Sequence, residues 1–239
     1  MTDSVAVVAG VGPGLGASVA RRFADEGCSV ALFARSESFV ESLAKELDDG
    51  PGKGLAVPTD LTDPEDVRDA FERVRSELGP VDILVNNASS SAWKGVRELS
   101  AAELDDALAT GVRGAFVCAQ EAVDDMLETG GGTVVFTGAT SAVRGREGAV
   151  GFSAAKFAAR GMAESMAREL GPEGIHVAHV VVDGGIRPSD ADGDEDGDRT
   201  GEVESLDPDA IADAYWYLVR QDRSAWTLEL DLRPNAEEF

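Results

Sequence analysis

Lysine and cysteine are the scarce residues of this 239-residue chain, and each scarcity excludes something. Against 45 Asp and Glu stand 17 Arg and only four Lys (Lys45, Lys53, Lys94, Lys156), for a formal charge of −24. Neutralising a phosphate backbone takes clustered Lys and Arg, so no nucleic-acid partner is expected. Two cysteines far apart, Cys28 and Cys118, make no disulfide framework and suit a reducing, cytoplasmic compartment. No apolar run approaches the ~20 residues of a membrane span, so no membrane partner is expected. The first residues, Met1-Thr2-Asp3-Ser4, lack a basic region ahead of a hydrophobic run, and no signal peptide is expected.

What the chain does have is a 43% apolar fraction, enough for one sizeable domain over residues 1–239. Its acidic residues are spread along the whole length, and the one dense block is Asp190 to Asp198. An acidic, lysine-poor surface resembles those of proteins from salt-loving microbes, where counterions screen self-repulsion.

Short apolar runs alternate with helical patterns from end to end. Strands are expected at Ser4 to Ala9, Ser29 to Ala34, Gly54 to Val57, Val81 to Val85, Thr133 to Thr137, Ile175 to Val182 and around Thr227 to Leu230. Helices are expected at Leu15 to Glu26, Glu37 to Leu47, from the cap Thr62 to about Leu78, then Ala101 to Leu127, Gly151 to Leu170 and Pro208 to Arg220. Strands that are apolar throughout are buried on both faces, so the fold class is α/β, a doubly wound parallel sheet of about seven strands. Residues 186–206, with the low-complexity stretch Ser189 to Thr200, are long for a connection and are expected to form a substrate lid. Asp192-x-Asp194-x-Asp196-Gly197 imitates a calcium loop, but Val203 stands where the bidentate Glu belongs, so no metal is expected.

The first turn reads Gly10-Val11-Gly12-Pro13-Gly14-Leu15-Gly16, between a strand and a helix. Glycines there let the backbone approach a pyrophosphate, whose charge sits at the helix N-terminus. With Thr59-Asp60-Leu61 after the third strand and Asn86-Asn87-Ala88 after the fourth, the chain resembles the short-chain dehydrogenase/reductase family over nearly its whole length. The resemblance implies a nicotinamide cofactor held by Gly10, Gly12, Gly14, Leu15, Gly16, Asp60 (on the adenine amino group), Leu61, Asn87 and Ala88, and by Gly184 and Ile186 in Asp183-Gly184-Gly185-Ile186. Ala34-Arg35-Ser36 ends the second strand with a cation and a hydroxyl, where an acid would bind the NAD ribose. That favours NADP, with NAD as the alternative.

The same resemblance exposes what is missing. The family reduces carbonyls with a Tyr, a Lys four residues later, a Ser and an Asn. Lys156 is present, but Phe152 occupies the Tyr position, Ala139 the Ser position and Gly111 the Asn position. Lys156 keeps a role on the nicotinamide ribose. Thr140 and Ser141 are nearby but are poor acids, Arg144 and Arg146 would stabilise an oxyanion, and Glu147 would serve only if desolvated. Water is the remaining proton source, and losing a general acid costs ~10²–10⁴ in rate. His176 and His179 are expected to pack in their strand, about 10 Å from the crevice for His179. Trp216 and Trp226 are expected to be anchors, with Trp93 the exception that faces ligand.

Two functions follow. One is an NADP-preferring oxidoreductase on a small carbonyl, alcohol or activated double bond, with an unusual proton route. The other is a dinucleotide-binding sensor or partner protein without turnover. The family also implies a homodimer or homotetramer through Ala107, Leu108, Gly114, Ala115, Val117, Cys118, Ala154, Ala158, Gly161 and Met162.

Overall fold

The computed structural model describes residues 4–90, 93–187 and 205–235. Seven strands form one parallel sheet: β1 (Val5–Ala9), β2 (Ser29–Ala34), β3 (Lys53–Pro58), β4 (Ile83–Asn86), β5 (Gly132–Thr137), β6 (Ile175–Val182) and β7 (Glu229–Leu232). Their spatial order is β3-β2-β1-β4-β5-β6-β7. The order reverses between β1 and β4, and a crevice opens there beyond the strands' carboxyl ends. Every residue of β1 and β6 is buried, the consequence of apolar runs with helices on both faces.

Helices α1 (Leu15–Asp25), α2 (Glu37–Leu47) and α7 (Pro208–Val219) cover one face, with Phe23, Leu43 and Ile211 in its core. The other face carries α3 (Pro64–Glu77), α5 (Ala115–Thr129) and α6 (Val150–Leu170), through Phe71, Met126 and Ala163. A short helix, α4 (Ala101–Leu108), precedes α5 and opens on a capping box in which Ser100 and Glu103 satisfy each other's backbone amides.

Several expected boundaries shift for identifiable reasons. Asp63, not Thr62, caps α3 by accepting from the Glu65 amide at 2.9 Å. Thr62 is already committed, donating its own amide and hydroxyl to Asp60. β4 starts at Ile83 because the Val81 amide goes to the Asp125 carboxylate at 3.0 Å and not into the ladder. β7 starts at Glu229 because Thr227 is held in a turn by Gln221. The single helix expected from Ala101 to Leu127 is interrupted by a π-turn at Ala109–Gly114. Residues 188–204, which hold most of the expected lid and the calcium-like loop, lie outside the described residues, although Ile186 and Leu206 pair at its base.

Candidate active site

Four glycines shape the turn between β1 and α1, in two different ways. Gly10 has φ +100°, and a Cβ there would lie 2.4 Å from the Ala88 amide nitrogen. A Cβ on Gly16 would lie 2.7 Å from the Gly10 carbonyl oxygen. These two must be glycine for the turn to close against β4 and α1. At Gly12 and Gly14 an added Cβ would meet nothing within 4 Å, so their backbone borders open space. The N-terminus of α1 has no side-chain cap and no acid in its first turn, which leaves its positive end facing that space. Asn87 braces the turn by donating Nδ2 to the Gly10 carbonyl at 2.7 Å. The result is a cradle that fits a pyrophosphate.

The cradle is one end of a cleft of about 830 Å³. Of the residues singled out in the sequence, the cleft gathers Gly10, Gly12, Gly14, Leu15, Gly16, Arg35, Ser36, Asp60, Leu61, Asn87 and Ala88. Asp60 accepts from the Thr62 amide at 2.9 Å and hydroxyl at 2.8 Å, and these bonds, with the nearby Arg35 charge, hold its carboxyl below the usual range. Arg35 is exposed at the rim and has no carboxylate partner within ion-pair distance among the described residues.

Lys156, Phe152, Ala139, Gly111, Thr140 and Ser141 are not in that lining, nor are Gly184 and Ile186. The first six collect around α6, where the turn after β5 and the π-turn pack on it, while Ile186 pairs with Leu206 beyond β6. Lys156 is buried, and its ammonium donates to the Thr137 carbonyl at 2.7 Å. Burial pushes its pKa down to about 8. One turn earlier, Phe152 stacks on Trp93, ring centroids 4.7 Å apart and planes at 25°. The Thr140 hydroxyl donates to the buried Asp183 carboxylate, which also lies 3.4 Å from Arg233 and 3.7 Å from Arg144. The Ser141 hydroxyl is buried with no partner among the described residues. Gly111 sits in the π-turn, where a Cβ would come 3.2 Å from that of Ala155, so an Asn could enter only if α6 gave way.

The histidines stay in the core, as their strand position suggests. His176 stacks on Trp226 at 5.0 Å between two backbone carbonyls, and His179 pairs with Glu229 at 3.1 Å. Trp216 is buried against Phe23, whereas Trp93 is 52% exposed.

A family model for the short chain dehydrogenase matches residues 4–195. The chain belongs to the short-chain dehydrogenase family. An uncharacterised oxidoreductase of Staphylococcus aureus is 27% identical over 98% of each chain. An alcohol dehydrogenase from Thermococcus sibiricus, solved with 5-hydroxy-NADP, is 25% identical and superimposes with a TM-score of 0.83 over 98% of each chain. A 3-ketoacyl-(acyl-carrier-protein) reductase from Brucella melitensis, solved with NADH, is 27% identical with a TM-score of 0.83 over 96% of each.

For this short-chain dehydrogenase, sequence reasoning missed Asp106 and Thr110, which reach the cleft from the long helical stretch, and Ser89 and Ser90 after β4. No local pattern marks the first two: they face the cleft because of how the helix crosses the sheet end. Ser89 and Ser90 follow Asn87-Ala88 directly, and that adjacency was the available signal. Among the described residues no group of His, Cys, Asp and Glu is arranged to hold a metal, and no helix is long and apolar enough to cross a membrane.

Proposed function

We propose that this short-chain dehydrogenase is an NADP-preferring oxidoreductase that acts on a small carbonyl, alcohol or activated double bond without a tyrosine acid. The observation that carries the reading is the cleft itself: an open glycine cradle at an uncapped helix N-terminus, with Arg35 at its rim and no carboxylate partner for it among the described residues. A bound reduced nicotinamide would supply hydride. In this chain Gly12, Gly14 and the α1 N-terminus hold the pyrophosphate, Asp60 accepts from the adenine, and Lys156 donates to the nicotinamide ribose. Arg144 and Arg146 hold negative charge on the substrate, and water delivers the proton.

Arg35→Asp tests the cofactor assignment. The unmutated protein is expected to bind NADPH more tightly than NADH, and the substitution to reverse that order by placing an acid where the 2′-phosphate would sit. Equal affinities in the unmutated protein overturn the NADP preference.

A second reading is a dinucleotide-binding sensor without turnover. It is supported by the aromatic pair, Phe152 under Trp93, at the position of the family's acid. Binding of NADPH with no oxidation across a panel of activated carbonyls would favour it.

Assembly and compartment belong to the same proposal. Ala107, Gly114, Val117 and Cys118 turn into the protein's own core, so they are not the contact face expected of them. The outward face of the same helices carries Phe116 and Phe157, 46% and 43% exposed, beside Ala154 and Gly161. A homodimer or homotetramer through this face is expected, and Phe157→Asp should shift light scattering toward monomer. A monomeric unmutated protein would contradict it. We assign the protein to the cytoplasm of a salt-adapted cell. With a net charge of −24, its melting temperature is expected to rise from low to molar salt, and a flat or falling trend would refute that adaptation.

A further inference from the structure

The substrate side of the site is assembled on the first turn of α6. The carbonyl of Lys94 accepts from the Val150 amide at 3.1 Å, which fixes the loop that carries Trp93 beside Phe152. The Arg146 amide donates to the Ser153 hydroxyl at 3.4 Å, which holds the opposite loop against the same turn. Between these anchors four side chains are layered: the Arg146 guanidinium lies 5.9 Å from the Trp93 ring centre, Trp93 lies 4.7 Å from Phe152, and the Lys156 ammonium lies 5.7 Å from Phe152.

Two features of this stack point outward. Phe152 covers one face of Trp93 and the Arg146 guanidinium stands over the ring, yet 52% of the residue remains exposed. Arg146 stands at the outer limit of cation–π contact with Trp93 and has no carboxylate partner among the described residues. Its neighbour Arg144 is 57% exposed and only 3.7 Å from Asp183. The Thr140 hydroxyl is committed to Asp183, and position 139 is Ala. This turn presents a flat aromatic wall with positive charge beside it.

We propose that the substrate is a planar aromatic carbonyl compound bearing a carboxylate, stacked on Trp93 with its carboxylate on Arg146 and Arg144. The inference rests on the oxidoreductase reading and narrows its substrate class. Stacking on an exposed indole favours a flat conjugated ring over a saturated one of the same size, and the guanidinium pair favours the anion over its ester.

Three probes test it by tryptophan fluorescence and calorimetry, with and without saturating NADPH: phenylglyoxylate, its methyl ester and cyclohexylglyoxylate. Phenylglyoxylate is expected to bind roughly tenfold tighter than either analogue. Trp93→Leu should weaken it roughly three- to tenfold and Trp93→Phe should restore most of the loss. Arg146→Gln should weaken it roughly tenfold and abolish the preference over the ester, while NADPH affinity stays within about twofold. Phenylglyoxylate binding no tighter than the cyclohexyl compound or the ester overturns the inference, as does unchanged affinity in Trp93→Leu and Arg146→Gln. NADPH binding without any aromatic-acid binding sinks this inference alone. Aromatic-acid binding without NADPH binding sinks the oxidoreductase reading and leaves the stacking site standing.

Discussion

Phe152→Tyr combined with Ala139→Ser is expected to accelerate reduction of activated carbonyls by a sizeable part of ~10²–10⁴, the usual contribution of a positioned general acid. The two changes restore a phenol one helical turn before Lys156 and a hydroxyl at the start of the turn that packs on α6. The phenol needs no new ring volume, since Phe152 already holds an aromatic ring against Trp93. Lys156, with its pKa pushed down to about 8, is poised to assist a neighbouring phenol near neutrality. Gly111 is left alone because the π-turn lies too close to Ala155 to accept a larger side chain freely. The measurement is NADPH oxidation by the parent and the double variant under identical saturation. If the parent is already as fast as the double variant, another residue supplies the proton and the assignment of position 152 falls.

Lys156→Met is expected to separate binding from stability. The charge-assisted bonds proposed from Lys156 to the ribose would be worth ~1.5–3 kcal/mol, so their loss should weaken NADPH roughly ten- to a hundredfold. The stability effect runs with pH. The folded-state pKa of Lys156 is depressed from 10.5 to about 8 by desolvation, so between those values the unfolded chain binds the proton and the folded chain does not. Stability of the unmutated protein therefore rises with pH across that window relative to the variant, by ~3 kcal/mol in all, and that contribution is lost as pH falls below 8. Denaturant titrations of both proteins at pH 7 and above pH 10 check this. A gap between them that is independent of pH would show that Lys156 titrates normally.

Much of this fold was legible because its signals are local. The α2 and β6 boundaries match the expected Glu37 to Leu47 and Ile175 to Val182, one from an amphipathic period and the other from an unbroken apolar run. The glycine turn was legible for the same reason, since context alone distinguishes a strand-to-helix turn. What stayed hidden is tertiary. Thr62 and Asp63 are both capping residues, and only the contact to Asp60 decides between them. The π-turn leaves no mark in a helical period, although Gly111 and Gly114 permit it: a Cβ at Gly114 would lie 2.3 Å from the Leu61 carbonyl oxygen. The Trp93–Phe152 stack joins residues 59 positions apart, and Thr140–Asp183 joins residues 43 apart. No spacing rule reaches that far, so these two contacts could only be seen once the chain was folded.

The central claim is that dinucleotide binding has outlived the family's usual proton-transfer machinery. Calorimetric titration of NADPH into the unmutated protein in high salt tests it most directly, paired with single-turnover oxidation of the bound cofactor by an activated carbonyl. The account predicts saturable binding at one site per chain, abolished by Gly10→Val, with hydride transfer markedly slower than in the Phe152→Tyr, Ala139→Ser variant. Absence of NADPH and NADH binding, or fast turnover at parity with that variant, would contradict it.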